Sequence, residues 1–189
     1  MKRLGRDFFD RPTLQVARDL LGRLLVRCLD GQRLSGRIIE VEAYIGEEDQ
    51  ASHAHCGRTP RNAAMYGPPG HAYVYLIYGM HHCLNLVTEA EGFPAAVLVR
   101  ALEPLEGVAR MRALRGPGRD LTGGPGRLCQ ALAIDRRFDH TDLCAEDALL
   151  FVEEGWPAEE AAVIVGPRVG VRGDAETRAR PWRFRLTRL

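Results

Sequence analysis

Apolar and polar residues alternate most clearly in Arg37-Ile38-Ile39-Glu40-Val41-Glu42-Ala43-Tyr44. If this stretch is extended, Ile39, Val41 and Ala43 form an apolar row while Glu40, Glu42 and Tyr44 share the opposite face. The pattern reaches back to Leu34, and Arg23 to Leu29 followed by Asp30-Gly31 predicts the other arm of a hairpin. Upstream, Asp10-Arg11-Pro12-Thr13 predicts a helix start with Asp10 able to cap it. Leu14, Ala17, Leu20 and Leu21 give an apolar stripe that Gly22 ends. Ala72 to Tyr78, His82 to Thr88 and Pro94 to Ala101 predict an antiparallel meander turned at Gly79-Met80 and Glu91-Gly92. Pro104 opens a predicted helix to about Arg115, with Leu105, Val108, Met111 and Leu114 inward, and Arg115-Gly116-Pro117-Gly118 ends it. Gly124-Pro125 opens another to about Ala133, with Leu128, Cys129 and Leu132 on one face. Further strands are predicted at 149–152, 161–165 and 181–186, where Trp182, Phe184 and Leu186 alternate with Arg183 and Arg185. Residues 45–70 show no periodicity, and a loop of that length is functional or disordered. Cys56, Met65 and Tyr66 argue against disorder. The implied fold is a single α+β domain over residues 1–189, with flanking helices on a mixed, largely antiparallel, curved sheet.

Composition narrows the chemistry. At 189 residues and 46% hydrophobic content the chain is long enough to bury a core of its own. Its net charge of +1 gives no general excess of positive charge, so any basic face must come from segregation. Lys2 is the only lysine among 26 basic residues, which leaves no lysine beyond position 2 to form a Schiff base. Five cysteines without a CxxC pair, and no apolar leader, imply a reducing, cytoplasmic setting. No apolar run approaches the ~20 residues of a membrane span.

Several groups could carry chemistry. Arg100 sits with Ala96 and Leu98 on one face of an otherwise apolar strand, where a half-buried arginine needs an acidic partner. Glu42 is a candidate, and the pair could orient a water with the carboxylate as general base; a structural salt bridge and a solvated acid are the plainer alternatives. Tyr73, Tyr75 and Tyr78 end at Gly79, as core aromatics or as rings that stack a nucleobase with a wedge at the turn. His53, His55 and Cys56, with His81, His82 and Cys83 further on, contain imidazole and thiol ligands, but their spacing matches no strong zinc signature. Leu121-Thr122-Gly123-Gly124-Pro125-Gly126-Arg127 offers backbone amides at a helix start to a phosphate, or is a plain glycine-rich turn. The arginines at 168, 172, 178, 180, 183, 185 and 188 could extend a positive surface.

Taken together, EVEAY at 40–44, SHAHCGRTPRNAAMYGPPG at 52–70, AYVYLIYGMHHCLN at 72–85, VLVRALEPLEG at 97–107 and LTGGPGRLCQALAI at 121–134 resemble the alkyladenine (3-methyladenine) DNA glycosylases. The likeness extends over about residues 10 to 186. It implies a monofunctional enzyme of base excision repair that needs no metal or other cofactor and acts, as a monomer, on double-stranded DNA containing damaged purines. It implies Glu42 as general base with Arg100 helping to hold the water, and Tyr44, Tyr75 and His53 around the flipped base. Asn85 would disfavour guanine, Tyr78 would intercalate, and Thr59, Arg61, Met65, Met80 and Arg127 would contact DNA. His81-His82 and His55-Cys56 depart from the family pattern. The rival readings are a nucleic-acid-binding module without catalysis and a zinc hydrolase using His53, His55 and Cys56.

Overall fold

One strand organises the sheet. In the computed structural model, which describes residues 1–116, 118 and 120–187, β2 (Gln32–Ile45) pairs with β1 (Leu24–Leu29) along its first half and with β5 (Ala95–Glu106) along its other edge. Beyond β5 lie β4 (His81–Val87) and β3 (Ala72–Ile77), and beyond β1 lies β6 (Leu150–Glu153), in the order β3-β4-β5-β2-β1-β6. β8 (Arg183–Leu186), itself paired with β7 (Val163–Gly166), occupies the edge of β2 that β1 leaves free, at Glu40 to Glu42. All these pairings are antiparallel, which gives the expected α+β fold its largely antiparallel sheet. The helices are α1 (Arg6–Phe9), α2 (Thr13–Leu20), α3 (Val108–Arg115), α4 (Pro125–Ala131) and α5 (Ala175–Ala179). Among the described residues no helix is long and apolar enough to cross a membrane.

The sheet separates two apolar layers. On one face α2 and α4 bury Val16, Ala17, Leu20, Leu128 and Leu132 against Val41, Ala43, Leu84, Leu86, Val97 and Val99. On the other, residues 46–70 fold back as two 3-10 turns, His53–Cys56 and Ala63–Tyr66, and cover Tyr73, Val87 and Ala96 with Ala54, Ala64 and Met65. Asn62, 1% exposed, organises this long loop. Its amide donates to the carbonyls of His53 (2.8 Å) and Gly57 (2.9 Å), and its Oδ1 accepts from the Thr59 amide (2.7 Å).

The structure changes several expected details. Fully buried core positions on β2 are Leu34, Ile38, Val41 and Ala43, and strict alternation cannot produce the three-residue step from Ile38 to Val41. The register steps from Ile38–Leu102 to Glu40–Ala101 and then to Val41–Val99. Ile39 is therefore an extra residue on β2 and Arg100 an extra residue on β5, two bulges back to back. Ile38 replaces Ile39 in the apolar row. The predicted helix from Pro104 starts later: β5 runs to Glu106, with Pro104 opposite Gly36, and α3 begins only after Gly107 at φ +69°. Leu105 is consequently exposed rather than inward. Pro117, in the predicted helix stop, lies outside the described residues. In α2, Leu14 is exposed and Val16 is buried, and Asp10 does not cap. The Thr13 amide donates instead to Glu89 Oε1 at 3.0 Å. The short helices α1 and α5 were not apparent from periodicity.

Candidate active site

Residues paired across antiparallel strands point to the same face of a sheet. Tyr73 lies opposite Asn85, Asn85 opposite Leu98, and Leu98 opposite Glu42; one step along, Tyr75 faces Cys83 and Ala96 faces Tyr44. The pleat thus brings residues far apart in the chain to one surface beneath the 46–70 loop.

At its centre is Glu42, 0% exposed. Its Oε2 accepts from the Tyr44 hydroxyl at 2.9 Å and from Arg100 Nη1 at 3.2 Å, and its Oε1 accepts from the Val169 amide at 2.7 Å. The bulge at Arg100 frees that side chain from a directly opposed neighbour, so it spans two carboxylates. Its Nε donates to Glu40 Oε1 at 3.0 Å, and Arg183 Nε reaches the same oxygen at 2.8 Å. Burial pulls the Arg100 pKa down, but the charges of Glu42 and Glu40 outweigh it and leave it above its ordinary value, so the guanidinium stays charged.

Aromatic rings surround this carboxylate. Burial raises the Tyr44 pKa, and the charge of Glu42 raises it further, so the hydroxyl remains a donor. Tyr75 is likewise held neutral by burial, with a smaller contribution from Cys83. His53 meets Tyr75 edge to face, with ring centroids 4.5 Å apart, and its Nδ1 lies 2.7 Å from the Tyr73 hydroxyl. His53 is exposed at the rim of the site, but desolvation of its ring against Tyr73 and Tyr75, followed by the nearby Arg61 charge, lowers its pKa and favours the neutral imidazole. Asn85, 4% exposed, is fixed by its amide donating to the Tyr73 carbonyl at 3.1 Å.

The β3–β4 turn projects from the same end. Tyr78 is 84% exposed at φ +53° and Met80 is 70% exposed. A large non-glycine residue in left-handed backbone costs of order 1–2 kcal/mol, and two large apolar side chains in solvent add no packing. Both features mark a tip shaped for contact with something else.

The other DNA-contact candidates are spread unevenly. Thr59 and Arg61 are exposed on the loop, with the Arg61 guanidinium 5.7 Å from the Tyr75 ring centroid. Arg127 is exposed but turned back onto Asp120 at 2.5 Å. Met65 departs from expectation. At 2% exposure it packs behind Tyr73 and Ala96 and offers no surface to a polymer. Among the C-terminal arginines, Arg168 is buried rather than part of a positive surface, Arg183 is committed to Glu40, and Arg188 lies outside the described residues. His53 and His55 do not converge as zinc ligands: His55 Nδ1 is 2.9 Å from the Glu47 carbonyl oxygen. Among the described residues no three His, Cys, Asp or Glu side chains form a metal-binding group.

Asp49, Arg168 and Val169 belong to the site although sequence reasoning did not place them beside Glu42. Each acts through contacts distant in sequence, and the only local signal was Asp49, a polar residue inside a loop too long to be a mere connection.

A buried carboxylate held against an arginine and walled by rings suits hydrolysis at a planar, ring-bearing group. The sequence model of the methylpurine-DNA glycosylase family matches residues 7–188, and the chain belongs to that family, a DNA glycosylase of DNA repair. It is 48% identical over 198 residues to the DNA-3-methyladenine glycosylase of Mus musculus, covering 96% of this chain and 58% of the mouse protein. A protein of Methanocella arvoryzae, provisionally named as a 3-methyladenine DNA glycosylase, is 55% identical over 184 residues, covering 96% of this chain and 90% of the relative. One of Streptomyces avermitilis with the same provisional name is 51% identical over 185 residues, covering 96% and 86%.

Proposed function

We propose that the chain turns damaged purines of the 3-methyladenine, hypoxanthine and ethenoadenine class out of duplex DNA and hydrolyses their N-glycosidic bond by direct attack of water. The observation that carries this reading is the buried Glu42, held by the Tyr44 hydroxyl on its own strand, by Arg100 on β5 and by the Val169 amide. As general base it takes a proton from a water whose oxygen bonds to the anomeric carbon. The bond to the purine nitrogen breaks with its electron pair leaving on the base. General-base assistance of this kind contributes ~10²–10⁴ in rate.

The remaining residues supply binding. Extruding a base costs a few kcal/mol, less when it is poorly paired. Stacking against Tyr44 and Tyr75 returns ~1–3 kcal/mol per ring contact, and a cationic base gains further attraction to the ring faces. Tyr78 fills the vacated position in the duplex, with Met80 beside it. Asn85 crowds the exocyclic amine of guanine. Thr59, Arg61 and Arg127 lie at exposed positions suited to the phosphate backbone. Water rather than an amine as nucleophile is supported by the position of Lys2, whose carbonyl accepts from Glu154 beside β6, at the opposite side of the sheet from β3 and β4.

The test is incubation with duplexes carrying single lesions, followed by strand analysis with and without alkali. Breaks that appear only after alkali are expected; breaks formed without it would replace the water mechanism with an amine. Glu42→Gln should still bind lesion duplex but release base ~10²–10⁴ more slowly, and near-parent release would remove the assignment.

A further inference from the structure

We propose that Asp49 and Arg168 are positioning residues for base release, setting Glu42 through the peptide of Val169 and backing Tyr44 and the His53 turn. This inference rests on the assignment of Glu42 as the base.

The two side chains are wholly buried, at 0% exposure each. Arg168 Nη1 lies 2.5 Å from Asp49 Oδ2 and Nη2 lies 2.8 Å from Oδ1, a two-point fork. Nη1 also donates to the Ala43 carbonyl at 3.0 Å, one residue from Glu42. The guanidinium is sandwiched between rings, 4.8 Å from the Tyr44 centroid and 4.9 Å from that of Trp182. Tyr44 is therefore backed by a fixed cation.

What makes this more than a stability feature is the residue that follows. Val169 donates its amide to Glu42 Oε1 at 2.7 Å, yet the residue itself is 46% exposed. β7 ends at Gly166 and α5 begins at Ala175, so no strand ladder or helix holds residues 167–174. The Arg168 side chain is the buried attachment that fixes this peptide. At the other end of the fork, the Asp49 carbonyl accepts from Ser52 at 2.8 Å and its Oδ1 accepts from Ala51 at 3.2 Å, at the base of the turn that carries His53. One ion pair thus sets the carboxylate, one ring and the loop opposite. An apolar pair of equal volume would serve stability as well, but it would supply neither the fork nor the flat cation behind Tyr44.

The test uses two conservative changes. Asp49→Asn keeps the shape and removes the charge; Arg168→Lys keeps the charge and removes the fork and the flat stacking. Single-turnover base release at saturating protein is measured per active site, alongside the dissociation constant for lesion duplex. Small misplacements of reacting groups are costly, so each variant should release base at least about tenfold more slowly. Binding should weaken by less than release, since the ion pair also backs Tyr44 and the His53 turn but the larger loss falls on the chemical step. Val169→Pro, which deletes the donor and leaves the ion pair, should reproduce the slow release and serves if either first variant fails to fold. Parent-like rates per active site, whatever the fall in melting temperature, would overturn the proposal, as would equal losses in binding and rate. Glu42→Gln run in parallel separates the two levels: if it retains activity, the assignment of the base fails. If it is inactive while the other variants behave like the parent, only the positioning role is lost.

Discussion

Two arginine–carboxylate pairs lie close together, and they are built on opposite principles. Arg168 gives both Nη atoms to a single carboxylate in full burial. Arg100, 17% exposed, divides itself between Glu40 and Glu42 and meets Glu42 at a single 3.2 Å contact. The first closes on itself and holds other groups in place. The second is assembled from separate elements and leaves the carboxylate to further donors, the Tyr44 hydroxyl and the Val169 amide. The comparison teaches that burial and ionic pairing do not by themselves distinguish support from chemistry; how each arginine distributes its donors does.

The largest expected effect comes from breaking each pair in turn. Arg168→Met leaves Asp49 buried and unpaired, and urea denaturation should show a loss of about 3–5 kcal/mol. Arg100→Met should cost only about 1–2 kcal/mol, because Glu42 keeps the Tyr44 hydroxyl and the Val169 amide. Its base release should nevertheless fall ~10²-fold through loss of charge stabilisation. Equal destabilisation by the two substitutions would erase the distinction.

A smaller effect contrasts the interior with the hairpin tip. Tyr78→Gly removes no burial and relieves a φ of +53°, so stability should rise by about 1 kcal/mol. Release of a lesion paired in duplex should fall about 5- to 100-fold if one stacking contact is lost, with little change on an unpaired lesion. A variant that is less stable and equally active would show the tip to be structural.

The smallest effect is on pH dependence. Desolvation, aided by Arg61, holds the folded His53 pKa below its ordinary 6.5. The unfolded chain then binds the proton more readily, so stability is present above about pH 6.5 and declines as pH falls from there toward the folded value. His53→Gln should lack this decline, which parallel melting curves from pH 5 to 8 would reveal. Matching slopes would mean that the fold leaves the imidazole pKa unchanged.

Much of the active face was legible because strand alternation is local. Glu42 and Tyr44 two residues apart, Tyr73 and Tyr75 on one face, and a charged Arg100 within an apolar run all follow from period two. The bulges were not, since Ile38 and Ile39 are equally apolar and either could face the core. Pro104 has the marks of a helix opener, but its place opposite Gly36 depends on where β2 begins. A Cβ at Gly36 would meet the Leu102 Cβ at 3.0 Å, a fit that only the folded sheet reveals. The partner that caps α2 is Glu89, and the partner that buries Arg168 is Asp49. Neither pairing leaves a local trace, and Arg168 in a basic tail looks like surface charge. Met65, a residue type that argued against disorder in the long loop, owes its burial to that loop folding back over the sheet.

The paired bulges at Ile39 and Arg100 also constrain how the chain can change over time. Each extra residue reverses which side chains face the core, and the two reversals compensate one another across the β2–β5 ladder. Deleting either alone would move Glu42 and Tyr44, or Leu98 and Ala96, to the wrong side of the sheet. Insertions and deletions in relatives between Ile38 and Val41, or between Val99 and Leu102, should therefore occur only in matched pairs.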